Sequence, residues 1–131
     1  KRMHKAKLND DQEVTVWGTG TAMREFLHVD DMVKASLFVL ELDQQMYIAN
    51  TQPMLSHINV GTGKDITIRE VAEAIKKVVE YKGNIRFDST KSDGTLRKLT
   101  DVSRLSSMGW THDISLEEGL KNTYDWYIKN E

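Results

Sequence analysis

The stretch WGTGTAMREFLHVDD, residues 17–31, decides what kind of fold this sequence can form. Residues 14–17, a short and mostly β-branched run, are typical of a strand, and Gly18 ends that run in a turn. Beyond it, residues 32–42 carry apolar side chains at helical spacing, and Asp30 or Asp31 is placed to cap that helix. We therefore predict a strand, a polar corner and a helix, in that order.

The middle of the chain repeats this alternation. Residues 57–60, HINV, are predicted to form a second strand. Thr67 and Glu70 form a capping box ahead of an apolar helical stripe, and Gly83 is predicted to end that helix. Residues 84–87 alternate like a third strand. Strands that alternate with helices indicate an α/β fold.

The remaining segments complete the prediction. Residues 43–56 lack periodicity and are predicted to be a loop, as are residues 88–98. A short helix is predicted at residues 101–108, and Ser115 with Glu118 forms a second capping box that opens the last helix. We expect a small sheet with flanking helices.

Composition limits the classes of function. The 131 residues fit one domain, and a net charge of -2 provides no field for nucleic acid or acidic membranes. The basic start, residues 1–7, is interpreted as a solvated helix end. The absence of cysteine is compatible with a reducing cytoplasm and excludes disulfides and thiolate nucleophiles. The four histidines lack metal-ligand spacing, so no metal site is predicted.

Two Gly-Thr-Gly turns, at residues 18–20 and 61–63, raise the question of phosphate binding, because glycines let backbone N–H groups approach an anion. A dinucleotide fingerprint has a third glycine three positions after the second, where this chain has Met23 and Ile66. We therefore interpret both turns as strand exits that need a positive φ. His28, which lies between apolar residues, is predicted to be a hydrogen-bonded structural histidine.

Three stretches together carry a resemblance: VWGTGTAMREFLHVDD, HINVGTGKDITIREVAEAI and RFDSTKSDGTLRKLTDVSRLSSMGW. They resemble the carboxyl-terminal part of the GDP-L-fucose synthase family, which belongs to the extended short-chain dehydrogenase/reductases. The run REFLHVDD indicates only the wider nucleotide-sugar group, whereas the KSDGT loop and the Trp-Gly turn narrow the resemblance to this family. The resemblance covers essentially the whole chain.

The resemblance implies an enzyme that epimerises GDP-4-keto-6-deoxy-D-mannose at two carbons and reduces its ketone with NADPH. The family's catalytic Cys and His, and the Tyr-Lys pair with a Ser that serves its hydride step, are not matched here. We therefore expect residues 1–131 to be a single carboxyl-terminal substrate-binding domain of a longer enzyme, inactive alone. The Rossmann core that binds NADPH is expected to lie outside this chain.

The resemblance also implies four substrate-binding residues, namely Arg2, Trp17, Arg24 and Asp93. Arginine offers permanently charged planar donors to a diphosphate, tryptophan offers a flat apolar face, and a carboxylate accepts from hydroxyls or a base edge. Lys91 and Lys98 are expected to add positive field. Alternatives remain: Trp17 as a core residue, Arg24 paired with Glu25 or Asp30, and Asp93 as a simple turn residue.

The resemblance also implies that part of the apolar surface of this chain is exposed. In the extended reductases the helix after His-Val-Asp-Asp and the Ile-Asn-Val-Gly strand pack against the dinucleotide-binding domain. We therefore expect apolar surface at residues 32–42 and 57–60 to be exposed and to favour self-association. The resemblance implies a homodimer for the longer enzyme.

Two competing hypotheses stay open. Another nucleotide-sugar epimerase or dehydratase would share this frame with a different sugar nucleotide. A non-enzymatic interaction domain would use residues 1–7 to bind nucleic acid, with binding that falls steeply with salt. The acidic overall balance disfavours the second hypothesis.

Overall fold

The fold is α/β, as predicted, in a computed structural model that describes residues 1–131. Six helices and five short strands follow one another along the chain. They are α1 (Arg2–Leu8), β1 (Glu13–Trp17), β2 (Met23–Glu25), α2 (Val29–Leu40), α3 (Gln44–Asn50), β3 (Asp65–Thr67), α4 (Ile68–Val79), β4 (Asn84–Asp88), β5 (Arg97–Lys98), α5 (Ser103–Ser107) and α6 (Leu116–Asn130). The predicted strands at residues 14–17 and 84–87 are confirmed as β1 and β4.

The chain divides into two compact units. Unit 1 comprises Lys1–Arg24, Ile66–Lys98 and Glu117–Glu131, and unit 2 comprises Glu25–Asp65 and Leu99–Leu116. The prediction of a single domain stays a prediction.

Unit 1 is organised around the parallel pair β1 and β4. In this pair Val14 lies opposite Ile85, and Trp17 lies opposite Asp88 at the end of both strands. Side chains from α1, β1 and α4 close the core on this pair; its buried members are Met3, Ala6, Val14, Ala72, Val79 and Tyr81. A second small sheet has the strand order β3-β2-β5, and its strands β2 and β5 run parallel.

The capping box predicted before α4 is confirmed. The Thr67 hydroxyl accepts from the Glu70 amide at 3.1 Å, and the Glu70 carboxylate accepts from the Thr67 amide at 2.9 Å. The predicted end of this helix is wrong, because Glu80, at φ 58°, takes the left-handed position three residues before Gly83. Gly83 is needed for another reason: the Tyr81 phenol oxygen occupies the space of a Cβ there.

Unit 2 packs around Ala35, Leu105 and Met108. The helix predicted after residue 31 is confirmed as α2, but its cap is His28 rather than Asp30 or Asp31. The His28 Nδ1 atom accepts from the Asp30 amide at 3.2 Å, which also confirms a structural histidine. Asp31 is fully buried and accepts from the Ile114 amide at 2.9 Å.

Two predictions for unit 2 are wrong. Residues 43–56 are not only loop, since Asp43 caps α3 by accepting from the Gln45 amide at 2.8 Å. Residues 57–60 form no strand, because no neighbouring strand pairs with them in this structure. This segment is held by side chains instead: Arg104 Nη1 donates to the His57 carbonyl at 2.6 Å, and Asn59 donates to the Asp101 carbonyl at 3.1 Å.

Apolar exposure follows the prediction on α2 but not on the segment after it. Val33 and Leu37 are half exposed and Leu40 is 80% exposed. Ile58 and Val60, by contrast, pack half-buried against the core of unit 2. Exposed apolar surface at residues 57–60 is therefore smaller than expected.

Candidate functional site

The candidate site is built on the Gly18–Gly20 turn, which we call the Thr19 turn, at the carboxyl end of β1. Gly18 and Gly20 have φ values of 87° and 81°, which confirms the predicted need for positive φ. Both glycines also permit close approach. A Cβ on Gly18 would meet the Asp93 carboxylate, and one on Gly20 would lie 2.5 Å from the Phe87 ring.

Asp93 is bound to this turn through its carboxylate. The Thr19 amide donates to Oδ1 at 2.8 Å and the Thr19 hydroxyl donates to Oδ2 at 2.7 Å. These hydrogen bonds, with a smaller contribution from the positive charge of Arg24, hold the pKa of Asp93 below its ordinary value. Asp93 is therefore an ionised group that joins two segments distant in sequence. It is more than the turn residue of the simplest interpretation.

Arg24 lies in β2, directly beside this pair. Its guanidinium donates to the Met23 carbonyl at 2.6 Å and to the Asp93 carbonyl at 3.5 Å. The alternative pairing with Glu25 or Asp30 is not what the structure has, because these contacts go to carbonyls. A guanidinium has five N–H donors, so Arg24 retains donors and a full positive charge for an anion.

Trp17 presents its ring to solvent at the end of β1. The side chain is 68% exposed, which excludes the interpretation of Trp17 as a core residue. The Lys91 ammonium lies 5.9 Å from the ring centroid, within the range of a cation–π contact. A flat apolar face beside a cation suits a planar, electron-rich group on a ligand.

Arg2 in α1 and Lys98 in β5 lie next to the strands that carry Trp17 and Arg24. Arg2 Nη1 donates to the Thr15 carbonyl at 2.8 Å, two positions before Trp17 in β1. Lys98 is exposed in β5 and lies opposite Arg24 in the β2–β5 register. The site therefore has two arginines and two lysines within one unit of the chain.

Sequence reasoning missed the residues that support the turn. Arg69 in α4 donates to the Thr19 carbonyl at 2.9 Å, and its guanidinium lies 3.9 Å from the centroid of the Phe87 ring. Phe87 in turn fills the space beside Gly20. These contacts connect residues between 18 and 67 positions apart, so no local pattern in the sequence signals them.

The second Gly-Thr-Gly turn is filled by a carboxylate of the chain itself. Glu25 Oε1 accepts from the Thr62 and Gly63 amides at 2.6 Å each, and Oε2 accepts from the Thr100 amide at 3.1 Å. Burial raises the pKa of Glu25, but the hydrogen bonds from Thr100, Gly63 and Thr62 outweigh that and lower it overall. The interpretation of this turn as a strand exit is wrong, because no strand precedes it, and of its two glycines only Gly63 has a positive φ. The turn instead holds an anion that belongs to the chain itself.

Two further observations concern metal binding and membranes. No group of three or more His, Cys, Asp or Glu residues is arranged to hold a metal ion. None of the helices combines the length and the apolar character that crossing a bilayer would take.

The sequence of this chain is similar to those of known proteins. The sequence pattern of the NAD dependent epimerase/dehydratase family matches residues 1–61. The chain is 59% identical, over all of its 131 residues, to a GDP-L-fucose synthase of Escherichia coli K12, of which it covers 41%. It is 50% identical over 130 residues to GDP-L-fucose synthase 1 of Arabidopsis thaliana, of which it covers 38%.

The structure of this chain is similar to parts of solved structures. A GDP-mannoheptose C4 reductase from Campylobacter jejuni with NADP bound superposes with a TM-score of 0.83 at 34% identity, over 97% of this chain and 42% of that one. A GDP-L-fucose synthetase from Naegleria fowleri, at 22% identity and a TM-score of 0.80, shares the fold over 98% of this chain and 37% of that one. The chain thus spans about two fifths of the length of the proteins it matches.

Proposed function

We propose that this chain, whose residues 1–61 match the NAD dependent epimerase/dehydratase family and whose whole length is similar to the carboxyl-terminal part of GDP-L-fucose synthases, is the GDP-sugar-binding part of such an enzyme. The whole enzyme would convert GDP-4-keto-6-deoxy-D-mannose to GDP-L-fucose by 3,5-epimerisation and reduction with NADPH. The observation that carries the proposal is the cluster of Trp17, Arg24 and Asp93 around one glycine turn.

Each residue has a task that suits a nucleoside diphosphate sugar. Arg24 would bind the diphosphate, because its charge is held by carbonyl oxygens and is not cancelled by a hydrogen-bonded carboxylate. Arg2 would add a second guanidinium. Trp17 would stack on a flat part of the ligand, with Lys91 and Lys98 adding positive field. Asp93 would help to hold the nucleotide end.

The catalytic step is assigned to residues outside this chain. The chain has no cysteine, and each of its tyrosines lacks a lysine four positions later. We therefore propose that the chain alone is inactive, that NADPH is bound by other parts of the enzyme, and that the enzyme acts in the cytoplasm. Incubation of this chain with GDP-4-keto-6-deoxy-D-mannose and NADPH should leave NADPH unoxidised. Turnover by the chain alone would overturn this part of the proposal.

A second candidate keeps the nucleotide and changes the sugar. Structures at 34–35% identity include reductases and a synthase that act on GDP-heptoses, and one curated relative at 34% identity is a GDP-L-colitose synthase. All four of these proteins have GDP in their ligand but differ in the sugar. The guanosine diphosphate part of the proposed ligand is therefore better supported than its sugar. Competition among GDP-sugars for the whole enzyme would separate the sugars.

The binding experiment is an amide and indole NMR titration of this chain with GDP and then with UDP. We expect the Trp17 indole and the amides near Arg24 and Asp93 to shift with GDP more than with UDP. Arg24→Met should weaken GDP binding at least tenfold, since it removes a charged diphosphate donor. Lys121→Met, which removes an exposed cation from α6, is the matched control and should bind as the parent chain does.

The result that contradicts the proposal is equally specific. A folded chain whose spectrum changes with neither nucleotide would show that residues 1–131 hold no usable GDP site. Shifts of equal size with GDP and UDP would favour an enzyme of a different nucleotide-sugar class. Binding of a DNA duplex that weakens steeply with salt would favour the interaction-domain hypothesis.

A further inference from the structure

Thr19 lies at the centre of a directed chain of hydrogen bonds. Its hydroxyl has one proton, and the ionised Asp93 carboxylate can only accept, so that proton goes to Oδ2 at 2.7 Å. The Thr21 hydroxyl, 2.7 Å from the Thr19 oxygen, must therefore donate to it. The Thr21 amide donates to the same oxygen at 3.2 Å. The polarity of the chain thus runs from Thr21 through Thr19 to Asp93.

This arrangement uses both oxygens of Asp93. Oδ1 accepts from the Thr19 amide at 2.8 Å and Oδ2 accepts from the Thr19 hydroxyl, so Thr19 binds the carboxylate in a bidentate manner. The Asp93 carbonyl then accepts from Arg24 Nη2 at 3.5 Å. The orientation of Asp93 fixes where its carbonyl lies, and that carbonyl is one of the two that hold the Arg24 guanidinium.

The opposite side of the turn is fixed independently of Asp93. The Arg69 side chain donates to the Thr19 carbonyl at 2.9 Å, and its amide donates to the Gly20 carbonyl at 2.9 Å. Arg69 also stacks on Phe87, which fills the space beside Gly20. The turn is thus a fixed support from which the Thr19 hydroxyl reaches out to Asp93.

We propose that Thr19 is a positioning residue of the ligand site: it holds Asp93, and through the Asp93 carbonyl it sets the position of the Arg24 guanidinium. This inference rests on the proposed function for what the guanidinium binds. It does not rest on that function for how the guanidinium is held. Thr19 itself touches no ligand in this scheme.

The test compares Thr19→Val, which removes the hydroxyl and keeps the shape, with Thr19→Ser, which restores the hydroxyl. The measurements are the pKa of the Asp93 carboxyl by carbon NMR, the Arg24 Nε chemical shift, and the affinity for GDP. We expect Thr19→Val to raise the Asp93 pKa, move the Arg24 signal and weaken GDP binding about fivefold to tenfold. Thr19→Ser should return all three towards the parent values.

Thr111→Val, at an exposed threonine in unit 2, is the matched control and should change none of the three. A second variant, Arg69→Met, loosens the turn from its other side and should weaken GDP binding without removing any group from Asp93. Amide spectra of each variant show whether the chain is folded.

The outcomes separate this inference from the proposed function. If the parent chain does not bind GDP, the proposed function fails. The effect of Thr19→Val on the Asp93 pKa and on the Arg24 Nε chemical shift still tests the role of Thr19, because neither measurement needs a ligand. A folded Thr19→Val that keeps both at parent values would overturn the positioning role, as would GDP affinity within twofold of the parent. An effect that Thr19→Ser fails to reverse would also overturn it.

Discussion

Glu25 is predicted to be the main electrostatic anchor of unit 2, and replacing it should destabilise that unit. Its carboxylate accepts three backbone amides, from Thr62, Gly63 and Thr100, at 2.6 to 3.1 Å. A hydrogen bond to a charged group contributes about 1.5 to 3 kcal/mol. The residue is only half-buried, so water replaces part of what is lost. We therefore expect Glu25→Ala to lower the free energy of unfolding by about 3 kcal/mol.

The pH dependence gives this prediction its sign. The pKa of Glu25 is lowered in the folded chain, so the folded state favours the charged form. Its contribution is fully present above the pKa of the unfolded chain and is lost as the pH falls through the folded pKa. The difference in stability between the parent and Glu25→Gln should therefore be largest near neutral pH and shrink in acid.

The assay is urea unfolding between neutral pH and pH ~3, a span that brackets the ordinary glutamate pKa. The Trp110 indole signal reports on unit 2, because this side chain packs against the unit 2 core. Glu73→Gln, at an exposed glutamate in α4, is the control and should change little. A gap between the parent and Glu25→Gln that is constant across this range would refute the reasoning, as would a loss below about 1 kcal/mol in Glu25→Ala.

Gly61 provides a check on the same anchor. Its φ is not positive, so alanine has an allowed backbone there, but a Cβ would lie 2.5 Å from Glu25 Oε1. The carboxylate must move away and lose its amide partners. We expect Gly61→Ala to be destabilising in the parent chain and nearly neutral in the Glu25→Ala background, since contacting residues are not additive. Equal costs in both backgrounds would mean that the carboxylate is not what the glycine accommodates.

Three further predictions follow from single contacts. Gly20→Ala combines a positive φ with a clash on Phe87 and should cost more than about 2 kcal/mol, measured by urea unfolding followed at the Trp126 indole of unit 1; a cost below 1 kcal/mol would contradict it. Thr67→Ala removes one half of a capping box and should cost about 1 kcal/mol in the same assay, whereas Thr67→Ser should cost little. Leu40→Glu places a charge on the exposed face of α2 and should reduce self-association measured by sedimentation, whereas a parent chain that is strictly monomeric would contradict the premise.

The elements that could be predicted from sequence are those whose cause is local. The periodicity after residue 31 and the pair Thr67 and Glu70 act within a few residues, and both helices are present, although α4 ends at Val79 and not at Gly83. Residues 57–60 illustrate the opposite case. Their apolar pattern fits a strand, but a strand exists only when another strand pairs with it, and that partner is not encoded in the segment itself.

The candidate site divides in the same way. Trp17, Arg24 and Asp93 are predicted from the sequence because a family pattern marks them, and the structure brings all three to one turn. The sequence does not mark Thr19, because it lies between two glycines whose conformational role is sufficient to explain the motif. Its contact with Asp93 joins positions 74 residues apart, so the role of the Thr19 hydroxyl can be recognised only in the folded structure.

The two Gly-Thr-Gly turns lead to one argument about anion recognition. Each raises the question of phosphate binding in the sequence, and each receives a carboxylate of the chain in the structure: Asp93 at the first turn and Glu25 at the second. A phosphate brought to either turn would have to displace a charge of its own sign. Recognition of a diphosphate must therefore come from the guanidinium groups, and Arg24, held by two carbonyls beside Asp93, is the one whose position the first turn controls.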